Sequence, residues 1–387
     1  MKRILLIFAF TFLAVSLQAQ NDTLSRDRSR YASNHFREDD KYTMYSPYAT
    51  VSVKQPRSRR VKNIILMIGD GMGLEQVSAA WVCNGGHLNM VDNCLYTGIQ
   101  RTYAANKLVT DSGAAGSALA TGKKTEYNHL STQHDGTPNQ SLLEYAQTKG
   151  KKTGLAVTCR INDATPAVFC SHVVSRDSQE VIVSQMAAAG VDFLSGGGIK
   201  YWVNRSDGRN IVEEAKARGY VFADTREGLA RAERLPFLGL FAPTEMPPAL
   251  DRGPILEESA MKALELLDGG KGFFLMIEGS TIDDYGHENK AGYVMEEVFD
   301  FDRTVGKVLE WAEKDGHTLV IITADHATGG MTLLDGSLEK KEIEVNFSTG
   351  GHNGIMVPVF AYGPHAEDFT GSYENADLSN RIRKLIK

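Results

Sequence analysis

Six short apolar runs punctuate the chain: 63–68, 153–158, 191–194, 273–277, 318–323 and 357–362. Runs of this length without polar alternation predict strands buried on both faces. Between them the period changes, and amphipathic stretches predict helices over 141–149, 179–189, 210–218, 256–267 and 293–313, several closed by glycine. Strands interleaved with helices place the chain in the α/β class, as a three-layer sandwich whose mainly parallel central sheet is covered by helices on both faces. The Pro-rich stretch 243–254 reads as a long surface loop, and no internal repeat is evident, so 61–387 is expected to form one catalytic domain.

The amino end does not share this pattern. Met1-Lys-Arg, an apolar run from Ile4 to Leu17 and then Gln18-Ala19-Gln20 have the charge, apolar core and small-residue exit of a secretory signal peptide over 1–20. A signal anchor is the alternative, but the run is short for a bilayer span and lacks a basic flank after it. Residues 21–60 are polar and Arg-rich and read as an arm or linker. No later stretch has the ~18 uncharged apolar residues of a membrane helix. The mature chain is therefore expected to be exported, periplasmic or extracellular, with no membrane span.

Of the 387 residues 42% are apolar, enough for a large core. The formal charge of −6, or −8 without Lys2 and Arg3, argues against a nucleic-acid or anionic-membrane partner. Four cysteines, Cys83, Cys94, Cys159 and Cys170, are an even set in an exported chain. Nearest-neighbour disulfides, Cys83 with Cys94 and Cys159 with Cys170, are the simplest pairing; four buried free thiols are the other reading.

Four of the expected strands run into metal-ligand residues: Asp70 after the first, Asp163 after the second, Glu278 after the fourth, and Asp325-His326 after the fifth. Ligands bind at the carboxyl ends of strands in open α/β sheets, so these acids should converge. Crowded carboxylates repel one another and are tolerable where cations neutralise them. Asp283 and His287, four residues apart, share a helical face, and His352 lies in the glycine-rich 349–354 loop. Mixed imidazole and carboxylate suits zinc, and an oxygen-only set beside it suits magnesium. Gly69-x-Gly71-x-Gly73 is not a dinucleotide fingerprint, because Leu74 takes the place of its last glycine. His172 reads as a packing or supporting residue, and His35, His87, His129, His134, His317 and His365 as loop residues.

Asp111-Ser112 is followed by Gly-Ala-Ala-Gly-Ser-Ala, a run of tiny side chains suited to a helix start that approaches a metal and an oxyanion closely. Contact with a divalent cation would lower the Ser112 pKa and make it a nucleophile.

Asp70-Gly-Met-Gly, Thr110-Asp-Ser112, Asp163-Ala-Thr165-Pro-Ala, Glu278-Gly followed by Asp283 and His287, Thr323-Ala-Asp325-His326 and Gly351-His352, in this order, closely resemble alkaline phosphatase. The resemblance runs from about Asn63 to His365. It implies hydrolysis of small phosphate monoesters through a phosphoserine at Ser112, two Zn²⁺ and one Mg²⁺ per subunit, and a homodimer. By position it implies one zinc on Asp283, His287 and His352, and a second on Asp70, Asp325 and His326. Magnesium would take Asp70, Thr165 and Glu278, with Asp163 nearby through water. Arg176 matches the arginine that grips two phosphate oxygens, oriented by Asp111. Two departures stand out. Asp284 occupies the place of a Lys, an aromatic residue or a His in other members, which puts a second acid near Asp163. The short interval from His326 to His352 leaves no room for the extra surface domain of vertebrate members. A phosphodiesterase on the same scaffold and an inactive metal-binding protein are the alternatives; a sulfatase would need Cys/Ser-x-Pro-x-Arg, which Ser112-Gly-Ala-Ala-Gly lacks.

Overall fold

The computed structural model describes residues 40–387, so the signal segment 1–20 and the arm residues 21–39 lie outside the described residues. The strands are β1 (Lys41–Thr43), β2 (Asn63–Gly69), β3 (Tyr96–Arg101), β4 (Lys152–Arg160), β5 (Phe193–Gly197), β6 (Val221–Ala223), β7 (Phe237–Leu240), β8 (Phe273–Gly279), β9 (Thr318–Thr323), β10 (Ala327–Thr328), β11 (Met331–Ser337), β12 (Glu342–Phe347), β13 (His352–Asn353), β14 (Val357–Tyr362) and β15 (Gly371–Glu374). Ten of them form one sheet in the order β15-β3-β14-β9-β2-β8-β4-β5-β7-β6. Only β14 runs against its neighbours; the other pairings are parallel.

Why the central strands read as unbroken apolar runs is plain from their surroundings. Ile65 and Met67 of β2 point into one core and Ile64, Leu66 and Ile68 into the other, each with 1% exposure or less. The first core is covered by the helix Ala291–Asp315, whose Val294, Val298, Phe301, Val305, Val308 and Ala312 recur every three or four residues along one stripe. Gly316 ends that helix in the left-handed conformation. The second core lies under helices Leu142–Thr148, Gln179–Ala188 and Asn375–Leu385. The expected three layers are present, and the six expected strands are all in the central sheet. Strands β3, β6, β7 and β15 go beyond the expected set: β3 is half exposed and carries Tyr-Thr-Gly-Ile-Gln-Arg rather than an apolar run, and the others are three or four residues long.

Three expectations need correction. The proposed disulfides are absent: all four cysteines are free and buried, Cys83 and Cys94 in one core and Cys159 and Cys170 in the other. Burial pushes every one of these thiols up, so they stay protonated and act as small apolar fill. Residues 40–60 are not a free arm. β1 pairs with β12, the Tyr48 hydroxyl donates to Asp302 at 2.6 Å, and the N–H groups of Val51 and Val53 donate to Asn89 and Asn93 at 2.8 and 3.0 Å. Side-chain acceptors hold this segment, which is why no apolar period announces it. Finally, the 243–254 stretch contains the short helix Ala249–Arg252, and Arg252 is buried against Glu297 and Asp300 at 2.6 and 2.7 Å. Among the described residues no helix is long and apolar enough to cross a membrane.

Candidate active site

β9, β2, β8 and β4 are consecutive neighbours at the centre of the sheet, in parallel register: Ile68 lies beside Thr323 on one side and Glu278 on the other, and Glu278 beside Val157. The ligand-type residues at the carboxyl ends of these strands therefore emerge side by side. Asp70 leaves β2 through Gly71, whose φ is +70°; a Cβ there would lie 2.8 Å from Thr328 Oγ1 and 2.9 Å from Asp283, so only glycine lets the three segments meet.

Two clusters result. Asp283, His287 and His352 form one, and Asp70, Asp325 and His326 the other, with the candidate ligand atoms of each set within 4.8 Å of one another. In the first, His287 Nε2 lies 3.1 Å from both Asp283 Oδ2 and His352 Nε2. Carbonyl oxygens fix the ring orientations, since His287 Nδ1 faces Gly350 O at 2.7 Å and His352 Nδ1 faces Thr110 O at 2.8 Å. In the second, His326 Nε2 lies 3.2 Å from Asp325 Oδ2 and 3.4 Å from Asp70 Oδ1. The loop expected to carry His352 is partly a strand: β13 pairs with β10, Thr328 opposite His352, and this brings the His352 ring over His326 with centroids 3.6 Å apart.

Beside these clusters Thr165 Oγ1 donates to Asp70 Oδ2 at 3.3 Å, and Glu278 is fully buried with Cys159 Sγ 3.8 Å away. The helix that begins at Ser112 is made of small residues and packs closely on the segment that carries Thr165; a Cβ on Gly116 would lie 3.3 Å from Val168 Cγ2. Ser112 opens that fully buried helix, Ser112–Thr121, and its Oγ is 3.3 Å from His326 Nε2. Asp111 is the N-cap and accepts from the N–H groups of Gly113 and Ala114 at 3.0 and 3.1 Å, so the helix amino end already has its negative partner. Arg176 Nη1 donates to Asp111 Oδ2 at 3.3 Å and Nη2 to Asp163 Oδ1 at 3.2 Å. Asp70, Ser112, Asp163, Arg176, Asp283 and Asp284 line one cavity of about 220 Å³.

The charge is lopsided. Burial, then the nearby Asp325 and Asp283, push Asp70 well above the carboxylate range; burial, then Asp163 and Asp325, do the same to Glu278. Asp325 is raised to about 6 by burial and by Asp283, and Asp284 to about 7 by burial, Asp283 and Asp163. Burial pulls on Asp283 in the same direction, but His352 and His287 outweigh it and hold it low. His287, in turn, rises to about 9 because its bond to Asp283 outweighs burial. His326 is pushed down by burial and by His352, so its ring is neutral. Asp70 Oδ1, Asp325 Oδ2 and Glu278 Oε1 are buried without a hydrogen-bond partner among the described residues. Orphaned carboxylate oxygens beside neutral imidazole are the donor set a divalent cation requires, so the residues present fit metal ions.

Residues 61–340 match the family model described as alkaline phosphatase. The chain belongs to the alkaline phosphatase family. It is a metal-dependent phosphomonoesterase. It is 34% identical to alkaline phosphatase 4 of Bacillus subtilis over 87% of this chain and 91% of that protein, and 33% identical to the alkaline phosphatase of Escherichia coli over 84% and 86%. The alkaline phosphatase of the Antarctic bacterium TAB5 superposes with a TM-score of 0.79 at 35% identity, covering 86% of this chain and 98% of that one.

In this alkaline phosphatase family member, Asp70, Ser112, Asp163, Arg176, Asp283, His287 and His352 of the expected set line the cavity, while Asp111 meets Arg176, Thr165 meets Asp70, Glu278 lies beside Cys159, and Asp325 and His326 cluster with Asp70. His172 stands apart: its Nε2 meets Glu144 at 2.8 Å, away from the clusters. Sequence reading missed Arg160 and Glu245. Arg160 Nη2 donates to Asp163 Oδ1 at 2.7 Å while Nη1 pairs with Glu245, and both residues line the cavity. The only sequence signal for Arg160 is its place at the carboxyl end of β4; Glu245, in the Pro-rich stretch, had none.

Proposed function

We propose that the chain hydrolyses phosphate monoesters by transferring the phosphoryl group to Ser112 Oγ and then to water, with two zinc ions and one magnesium ion per subunit. Asp283, His287 and His352 would hold one zinc, Asp70, Asp325 and His326 the other, and Asp70, Thr165 and Glu278 the magnesium, with Asp163 close by through water. Bound there, the ions would neutralise the crowded acids, lower the Ser112 pKa and polarise the phosphate oxygens. Arg176 is the phosphate grip: its guanidinium is oriented by two carboxylates, and its planar fork suits two non-bridging oxygens better than Lys would. Asp111 serves twice, capping the nucleophile's helix and steadying Arg176.

One observation carries this reading: the Ser112 hydroxyl stands 3.3 Å from a neutral His326, inside a cluster of acids with unpaired buried oxygens. The test is Ser112→Ala. Turnover of p-nitrophenyl phosphate should drop by about a thousandfold or more, the scale of a lost nucleophile, with zinc content by elemental analysis unchanged. A variant that keeps its rate would sink Ser112 as the nucleophile, and faster turnover of the corresponding diester would move the reading to a phosphodiesterase.

The signal-like 1–20 segment supports export; fractionation of the expressing cell tests it. Exposed Leu108, Ile355 and Met356 support a homodimer, with Leu108 the nearest side chain to Gly354. Sedimentation should give twice the chain's mass.

A further inference from the structure

We propose that Arg160 is a positioning residue of the phosphate pocket, which sets how tightly Asp163 holds Arg176. The inference rests on the reading of Arg176 as the phosphate grip. Five side chains stand across the cavity in a row of alternating charge: Glu245, Arg160, Asp163, Arg176 and Asp111. Arg160 Nη1 donates to Glu245 Oε1 and its Nη2 to Asp163 Oδ1 at 2.7 Å. The same Asp163 Oδ1 accepts from Arg176 Nη2 at 3.2 Å, and Arg176 Nη1 donates to Asp111 Oδ2 at 3.3 Å. Little else holds Arg160. Its Nε is buried without a partner among the described residues, and its guanidinium lies 5.8 Å from the Tyr201 ring centroid.

A carboxylate oxygen shared by two guanidiniums divides its pull between them. The shorter bond goes to Arg160, so Asp163 leans on Arg160 and leaves Arg176 at the long end of the hydrogen-bond range. Arg176 is thereby oriented yet loosely held, and can turn its donors to a phosphate at Ser112 at little cost. Without Arg160, Asp163 faces one guanidinium alone and competes with phosphate for it. Glu245 acts with the opposite sign. It draws Arg160 away from Asp163, so removing the Glu245 charge gives Arg160 wholly to Asp163 and frees Arg176 further. A role in packing would weaken binding in both variants, whereas this row predicts opposite signs.

The test uses the full chain loaded with zinc and magnesium, as wild type, Arg160→Gln, Arg160→Lys and Glu245→Gln. Two readouts are taken: the Ki of inorganic phosphate against p-nitrophenyl phosphate, and the rise in melting temperature that inorganic phosphate causes. Arg160→Gln should raise Ki and KM on the order of tenfold, the scale of one charge-assisted hydrogen bond, with a smaller change in kcat and a smaller thermal shift. Arg160→Lys should recover part of the loss, and Glu245→Gln should lower Ki by about threefold, a fraction of such a bond. An unchanged Ki in Arg160→Gln overturns the proposal, as does a Glu245→Gln variant whose Ki is unchanged or raised. Glu245 is on a partly exposed loop, so its variant decides the matter even where Arg160→Gln does not fold. A wild type that neither turns over nor binds phosphate would instead overturn the phosphatase reading beneath it.

Discussion

Asp325 shows two demands meeting in one side chain. Its Oδ1 accepts from the N–H groups of Gly71 and His326, holding the turn between β9 and β10, while its Oδ2 lies 3.2 Å from the neutral His326 ring and has no hydrogen-bond partner among the described residues. Burial and Asp283 raise its pKa from 3.8 to about 6 on folding. A carboxyl raised in this way binds its proton more tightly when folded, so the metal-free protein loses stability as pH climbs between about 4 and 6. Asp325→Asn keeps an oxygen for both N–H groups and removes the charge. In the presence of a chelator at pH 8 it should be more stable than wild type by roughly 1–3 kcal/mol; with zinc the order should reverse. Thermal melts with and without zinc check both halves, and a metal-free variant no more stable than wild type would show that the charge is already neutralised another way.

At the scale of an element, the helix Leu142–Thr148 shows how a histidine outside the site contributes. Ser141 and Glu144 form a capping box at its start, and His172 closes over it, with Nε2 2.8 Å from Glu144 and Nδ1 2.9 Å from Ser131 O. Burial disfavours charge on His172, but Glu144 outweighs it and raises the pKa above 6.5; Glu144 is pulled below 4.5 against its own burial by His172 and Ser141. The histidine's share of stability is full below pH 6.5 and fades as pH rises through its raised pKa, while the glutamate's share is lost as pH falls below 4.5. His172→Gln should therefore cost about 1 kcal/mol near pH 6 and much less at pH 9, read by urea denaturation at the two pH values. An equal cost at both would mean the ring contributes by packing alone. The same scale explains the nucleophile helix, where nine of the ten residues are Gly, Ala, Ser or Thr and the whole of Ser112–Thr121 sits buried.

Across the whole molecule, the central sheet stores electrostatic repulsion at the carboxyl ends of its strands. Asp70, Glu278 and Asp325 are buried and all pushed up, and among the described residues no Lys or Arg is ion-paired with them as Arg160 and Arg176 are with Asp163. Ions that bind the folded state and not the unfolded one stabilise it by mass action, about 4 kcal/mol at a thousandfold excess over the dissociation constant. Chelation should thus lower the melting temperature by several degrees, with zinc restoring it, and calorimetry on the chelated protein measures this. A melting temperature indifferent to chelation would mean the acids are protonated rather than metal-bound.

Hydrophobic period alone specified the α/β layering, six of the ten strands of the central sheet and the long helices, because a strand buried on both faces has no choice but to be apolar throughout. The order of ligand residues at strand ends was equally legible, since parallel strands deliver the residues at their carboxyl ends to one side of the sheet. Adjacency is not contained in the chain's order. The neighbouring of β9, β2, β8 and β4, the β10–β13 pairing that lays His352 over His326, and the links from Arg160 to Glu245 and from Arg176 to Asp111 join residues that the chain keeps far apart. The cysteines make the same point in reverse: their even number in an export-like chain suggested disulfides, and only the two cores in which they are buried revealed apolar fill. Composition states what a side chain can do; which partner stands within hydrogen-bonding reach of it is decided by how the layers pack.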